Sequence, residues 1–154
     1  MKPIGWVRSS VTGGREDFWG GVECTLELDA KQFPAEALQG LKDFSHIEVL
    51  FHFNRIKEEV IVLGARHPRE NPAWPKVGIF AQRGKVRPNR MGATVCRVLA
   101  VEGLNIRVQG LDAFDGTPVL DVKPVLRESL PASNEIRQPQ WSHELMSDYF
   151  RLEG

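Results

Sequence analysis

The sequence predicts an all-β fold with few, short helices. Three observations carry this expectation: strand-period alternation along much of the chain, Gly and Pro turn signals between the strand candidates, and only two stretches with helical spacing. Many short strands joined by such turns make a sandwich or a barrel in one domain. A chain of 154 residues is long enough to bury a core without disulfide or metal staples.

The elements follow in chain order. Residues 21–28 alternate strictly, which places Val22, Cys24, Leu26 and Leu28 on one face. A short helix is expected between Phe33 and Gly40, with Pro34 in its first turn and Gly40 as its stop. Residues 44–53 are a longer apolar run with β-branched and aromatic members, read as a strand buried on both faces. Short strands are expected at 59–63 and 77–81. Residues 93–101 and 104–110 form two more, joined as a hairpin across Glu102-Gly103. A last strand near 119–123 ends at Pro124, which has no N–H to donate to a ladder. Segments 8–20, rich in Gly and Ser, and 64–76, with Pro68, Pro72 and Pro75, read as irregular. In the tail, Ser142 to Leu152 is the second helix candidate. Trp141, Leu145, Tyr149 and Leu152 recur there at helical spacing, a stripe suited to docking on the strands.

Net charge is zero but unevenly spread. From Arg66 to Arg97 eight basic residues face only Glu70, so this segment carries +7 and the remainder −7. Such a block attracts a polyanion or serves as an ordinary solvated face. No apolar run approaches the roughly 20 residues of a membrane span, and Met1 to Arg8 has no secretory apolar region. A cytoplasmic protein is expected, with Cys24 and Cys96 as free buried thiols. No Gly-x-Gly-x-x-Gly follows a strand, no Walker loop or nucleophile elbow is present, and the four histidines do not pair with cysteines at zinc spacings. His46 and His52 share a strand face and read as packed histidines. No metal site is expected. Composition and period stop at a β domain with a basic loop.

Five sequence blocks carry a resemblance beyond that. They are residues 4–9 (Ile-Gly-Trp-Val-Arg-Ser), residues 41–53 with Leu-Lys-Asp-Phe-Ser-His and Val-Leu-Phe-His-Phe, residues 77–83 (Val-Gly-Ile-Phe-Ala-Gln-Arg), residues 87–92 (Arg-Pro-Asn-Arg-Met-Gly), and residues 111–124 (Leu-Asp-Ala-Phe-Asp-Gly-Thr-Pro-Val-Leu-Asp-Val-Lys-Pro). In order and spacing they resemble the TsaA-like (TrmO/YaeB-type) tRNA methyltransferases. The resemblance implies a single-domain antiparallel or mixed β-barrel over residues 1–130, with residues 131–154 as a tail whose short helix packs on it. It implies S-adenosyl-L-methionine as cofactor, N6 of threonylcarbamoyladenosine at tRNA position 37 as acceptor, and a homodimer, with no role for DNA or membrane. Departures are also visible. Arg90 stands where the family has proline, Asn54 where it has histidine, and Val125 where it has tyrosine. Arg15 to Gly20 has no clear match to the usual Arg-Gln-Pro run, and the further C-terminal domain of longer members has no counterpart.

Candidate site residues combine this resemblance with side-chain chemistry. Arg83 is the family-matched arginine, and its guanidinium fork suits the cofactor's carboxylate or a structural ion pair. Phe53 and Asn54, and Gln109, Gly110 and Leu111, match strand ends that border the cofactor in the family. Asp112 and Asp115 suit ribose hydroxyls or the sulfonium charge, and equally cap a turn. Gly116 permits close backbone approach, Thr117 offers a hydroxyl and Pro118 stiffens the loop; the same residues suit a tight hairpin turn. Phe18 and Trp19 are candidates for stacking on a base or for a hydrophobic plug. Arg87, Asn89 and Arg90 lie in the basic block and suit RNA phosphates or a charged surface. No catalytic base is assigned. The competing readings are the same cofactor with another nucleoside or small-molecule acceptor, and a non-catalytic S-adenosylmethionine- or RNA-binding module.

Overall fold

The computed structural model describes residues 1–153. Six strands close into an antiparallel barrel: β1 (Gly5–Arg8), β2 (Glu23–Leu28), β3 (His46–His52), β6 (Met91–Glu102), β7 (Asn105–Gln109) and β8 (Pro118–Pro124). Their order around the barrel is β1-β2-β7-β6-β3-β8, and β8 returns to β1 through Gly5–Val119 and Trp6–Pro118. Two further pieces, β4 (Ala65–Arg66) and β5 (Val77–Gly78), pair only with each other outside the barrel.

Alternation explains the core. Val7, Cys24, Leu26, Leu28, Ile47, Val49, Phe51, Cys96, Ile106, Val108 and Val119 are all buried and form one cluster. Each fully buried aliphatic or aromatic side chain contributes about 1.5–3 kcal/mol. Phe51 fits because Gly92 stands opposite it on β6: a Cβ there would lie 2.5 Å from the Phe51 ring. Cys24 and Cys96 are free and buried, and burial pushes both thiols up to about 12. They are inert packing residues at neutral pH.

Several expectations are corrected. Residues 5–8 form a barrel strand that four residues are too few to announce by period. β3 is not buried on both faces: Ile47, Val49 and Phe51 are buried, while His46, Glu48, Leu50 and His52 are half-buried. No strand forms at 59–63. Glu58–Val60 is a 3₁₀ turn, and Leu63 is exposed, because the barrel leaves no open edge for it. The strand at 77–81 stops at Gly78 and turns as Ile79–Ala81. The segment after Pro34 is a 3₁₀ turn, Ala35–Leu38, ended by Gly40 at φ +86°. The tail helix α1 covers Gln140–Met146, and Tyr149 and Leu152 lie beyond it. The hairpin forms with its turn at 103–104, one residue beyond the expected Glu102-Gly103 joint, and the last strand forms as Pro118–Pro124.

An antiparallel barrel sends alternate connections to opposite ends. One end receives residues 9–22, 53–90 and 110–117, which are the three connections β1 to β2, β3 to β6 and β7 to β8. The other receives residues 29–45, the two-residue turn at 103–104 and the exit from β8.

Candidate functional site

Every predicted site residue lies in one of those three connections or at the strand tip beside it. Phe18 and Trp19 come from the first, Phe53, Asn54, Arg83, Arg87, Asn89 and Arg90 from the second, and Gln109 to Pro118 from the third. Blocks far apart in sequence therefore converge on one end of the barrel.

The 110–117 loop is held by backbone and side-chain bonds. Gly110, at φ +92°, donates to the Val22 carbonyl, and Leu111 is fully buried beneath it. Gly116, at φ +82°, donates to the Val7 carbonyl, and open space lies where its Cβ would stand. Asp115 accepts from the Ser9 amide at 3.0 Å. The Thr117 hydroxyl is buried and donates to the Phe114 carbonyl at 2.7 Å, so it stabilises the turn. Pro118 opens β8 opposite Trp6. Asp112 accepts from Thr94 Oγ1 at 2.5 Å and from the Tyr149 hydroxyl.

The long 53–90 connection supplies the cations. Arg83 is exposed, and one guanidinium nitrogen donates to the Ala93 carbonyl at 2.7 Å, one residue from Thr94 on β6. Arg55 donates to the Thr12 and Asp115 carbonyls and lies 5.4 Å from the Phe114 ring centre. Phe53 packs edge-on against Phe51 and donates its amide to the Arg90 carbonyl. Asn54 is exposed. Arg87 and Arg90 each donate to a backbone carbonyl, of Gln82 at 2.8 Å and of Ile56 at 2.7 Å, while Asn89 is exposed. Burial and the charge of Arg90 lower the pKa of His52.

Phe18 and Trp19 separate. Trp19 is 3% exposed, packed against Phe114 with Arg15 over its ring, which makes it a plug in this arrangement. Phe18 is half-buried and holds φ +64°, a strained conformation for a bulky residue. Val125 lies at the far end, donating to the His46 carbonyl, so that departure does not touch this site. Arg55, Thr94 and Tyr149 were not anticipated. Their roles depend on partners 18 to 60 residues away, and no spacing signal announces such pairs.

The donor set fits S-adenosylmethionine in kind: an exposed guanidinium for a carboxylate, and two carboxylates for hydroxyls or a cation on a loop with open space at Gly116. Among the described residues no three His, Cys, Asp or Glu side chains are grouped as metal ligands. A cavity of about 460 Å³ lies at the other end, lined by Ile4, Leu28, Leu38, Phe44 and Val122 among others, and is too apolar for this chemistry.

The model of the tRNA-methyltransferase O N-terminal domain matches residues 15–129. The chain belongs to this family. A mouse tRNA (adenine(37)-N6)-methyltransferase is 39% identical over 95 residues, covering 62% of this chain and 22% of its own length. A Methanothermobacter thermautotrophicus protein, named for S-adenosyl-L-methionine binding, is 35% identical over 126 residues, covering 80% of this chain and 88% of its own. A crystal structure of TrmO superposes with a TM-score of 0.70 and 31% identity, over 88% of this chain and 61% of that one. Another, from Pseudomonas aeruginosa, gives 0.67 and 31%, over 86% and 58%. The chain thus spans about a fifth of the mammalian relatives and about three-fifths of the solved TrmO chains. The matched region includes all three site connections apart from residues 9–14.

Proposed function

We propose that this barrel binds S-adenosylmethionine at its loop end and methylates N6 of threonylcarbamoyladenosine at position 37 of tRNA. The observation that carries the reading is the convergence of the family-matched residues on that one end. The cofactor supplies a methyl group on a sulfonium sulfur. The chain's part is to hold the acceptor nitrogen in line with it, since alignment is a large share of the acceleration. Arg83 binds the carboxylate of the methionine portion. Asp112 and Asp115 take hydroxyls, the loop from Gln109 to Pro118 approaches the ligand through backbone, and Phe53 and Asn54 border it. Trp19 supports the loop from below and Phe18 flanks it. Arg87, Asn89 and Arg90 contact RNA phosphates.

A homodimer fits the exposure of Leu63 and Phe80, 79% and 77%, which flank the Gly64–Ile79 hydrogen bond. A monomer by light scattering at micromolar concentration removes that part. A cytoplasmic location fits two free thiols and the absence, among the described residues, of any helix long and apolar enough to cross a membrane. The alternative acceptor, another nucleoside, is favoured by the departures at the loop end, Asn54 and Arg90.

Calorimetric titration with S-adenosylmethionine tests the cofactor, with Arg83→Ala expected to weaken binding about tenfold or more. Incubation with tRNA bearing the modified adenosine tests the acceptor. Cofactor-loaded protein that forms no S-adenosylhomocysteine with this tRNA excludes the acceptor, and folded protein that binds no cofactor excludes the whole reading.

A further inference from the structure

The C-terminal segment beyond the family match returns to the loop end. It ties together all three connections. The amides of Phe18 and Trp19 donate to the carbonyls of Asp148 and Tyr149 at 3.0 and 2.8 Å. Trp74 Nε1 donates to Glu144 Oε1 at 3.1 Å. The Tyr149 hydroxyl donates to Asp112. Gly20 is required at this junction, because a Cβ there would collide with the Phe150 carbonyl.

Tyr149 is the chain's single tyrosine. Arg69 lies 6.0 Å from its ring centre and is paired with Asp17 at 2.9 Å. Burial and the charge of Asp112 raise the pKa of its hydroxyl, so it stays protonated and acts as a donor. Asp112 therefore has one oxygen bonded by Thr94 and the other by Tyr149. Each carboxylate oxygen has capacity to accept further bonds. No tail atom lies within 4 Å of where a Cβ on Gly116 would stand.

We infer that Tyr149 is a positioning residue of the loop-end site: with Thr94 it fixes the rotamer of Asp112, and the segment Asp148–Phe150 straps the connections that carry the site. This rests on the cofactor reading above. A carboxylate held by two donors keeps one geometry, whereas a carboxylate freed of one loses part of its preorganisation for a ligand hydroxyl.

The test is a double-mutant cycle on the full chain. S-adenosylmethionine is titrated calorimetrically into wild type, Tyr149→Phe, Asp112→Asn and the double variant, with thermal unfolding recorded for each. Tyr149→Phe keeps the ring and removes only the donor. Expected is about tenfold weaker binding, with that loss absent in the Asp112→Asn background, since residues acting through one contact do not add. Gly20→Ala, which displaces the strap without altering Tyr149 itself, is expected to weaken binding in the same direction. Binding by Tyr149→Phe as tight as wild type, or tighter, overturns the inference while leaving the cofactor reading intact. Losses that multiply in the double variant also overturn it. Folded wild type that binds no cofactor overturns both.

Discussion

The two ends of the barrel share one core and differ in almost everything else. The loop end gathers three connections, seven arginines bonded to backbone carbonyls and a carboxylate held by two hydroxyls. The opposite end is closed by 3₁₀ turns, with Leu38 buried beside an apolar cavity. The difference follows from what the connections carry, because the opposite end also has a long connection, residues 29–45, but one without an arginine. Backbone groups in a connection need partners, and at the loop end Arg side chains supply them. Polar side chains at that end are thus available for ligands, and the apolar end is left to stabilise the fold.

The most disruptive substitution tests whether the ends are coupled at all. Phe51→Ala removes a buried ring from the shared core and is expected to cost about 3–5 kcal/mol. Denaturant unfolding checks this, and both ends should melt in one transition. Leu38→Ala acts at the apolar end alone. It is expected to cost about 2 kcal/mol while S-adenosylmethionine affinity stays at the wild-type value by calorimetry. A parallel loss of affinity would break the separation of the two ends.

Thr94→Val is the converse at the loop end. It removes one donor to Asp112 and should weaken cofactor binding by about 1–2 kcal/mol, with a smaller change in melting temperature. Trp74→Phe removes the bond to Glu144, an exposed contact, and should cost no more than about 1 kcal/mol, visible as faster amide exchange in residues 140–150.

The smallest effect concerns His52, at the loop-end tip of β3. Its pKa is depressed by burial and then by Arg90, so it titrates below the ordinary 6.5. The unfolded chain binds the proton more readily than the folded one. Stability is therefore unaffected above 6.5 and declines as pH falls through the window between 6.5 and the lower folded value. Proton NMR should give a midpoint below 6.5, and His52→Gln should flatten that decline. A midpoint at or above 6.5 removes the asserted burial.

Much of the barrel was legible. The strict alternation of β2, the β6–β7 hairpin and the stop at Pro124 each rest on local rules that the tertiary structure left intact. The misreadings have a common cause. Val60, Ile61 and Leu63 are apolar and β-branched enough for a strand, yet a strand needs an open partner, and the six-membered barrel is already closed. Residues 5–8 show the opposite case: too short to signal a strand alone, they pair on both sides because β2 and β8 each present a free edge there. At the site, Phe18 and Trp19 read alike in sequence, and only packing makes Trp19 the plug and leaves Phe18 half-buried.

By itself the sequence determined the β class, the basic block, the two thiols and the residues that mark the family, because these depend on period, charge and order along the chain. Tertiary structure alone decided that the marked residues meet at one end, that the other end is apolar, and that Tyr149 reaches Asp112. The physical reason is that antiparallel closure sorts connections by parity, and contacts between residues 37 positions apart leave no trace in local spacing.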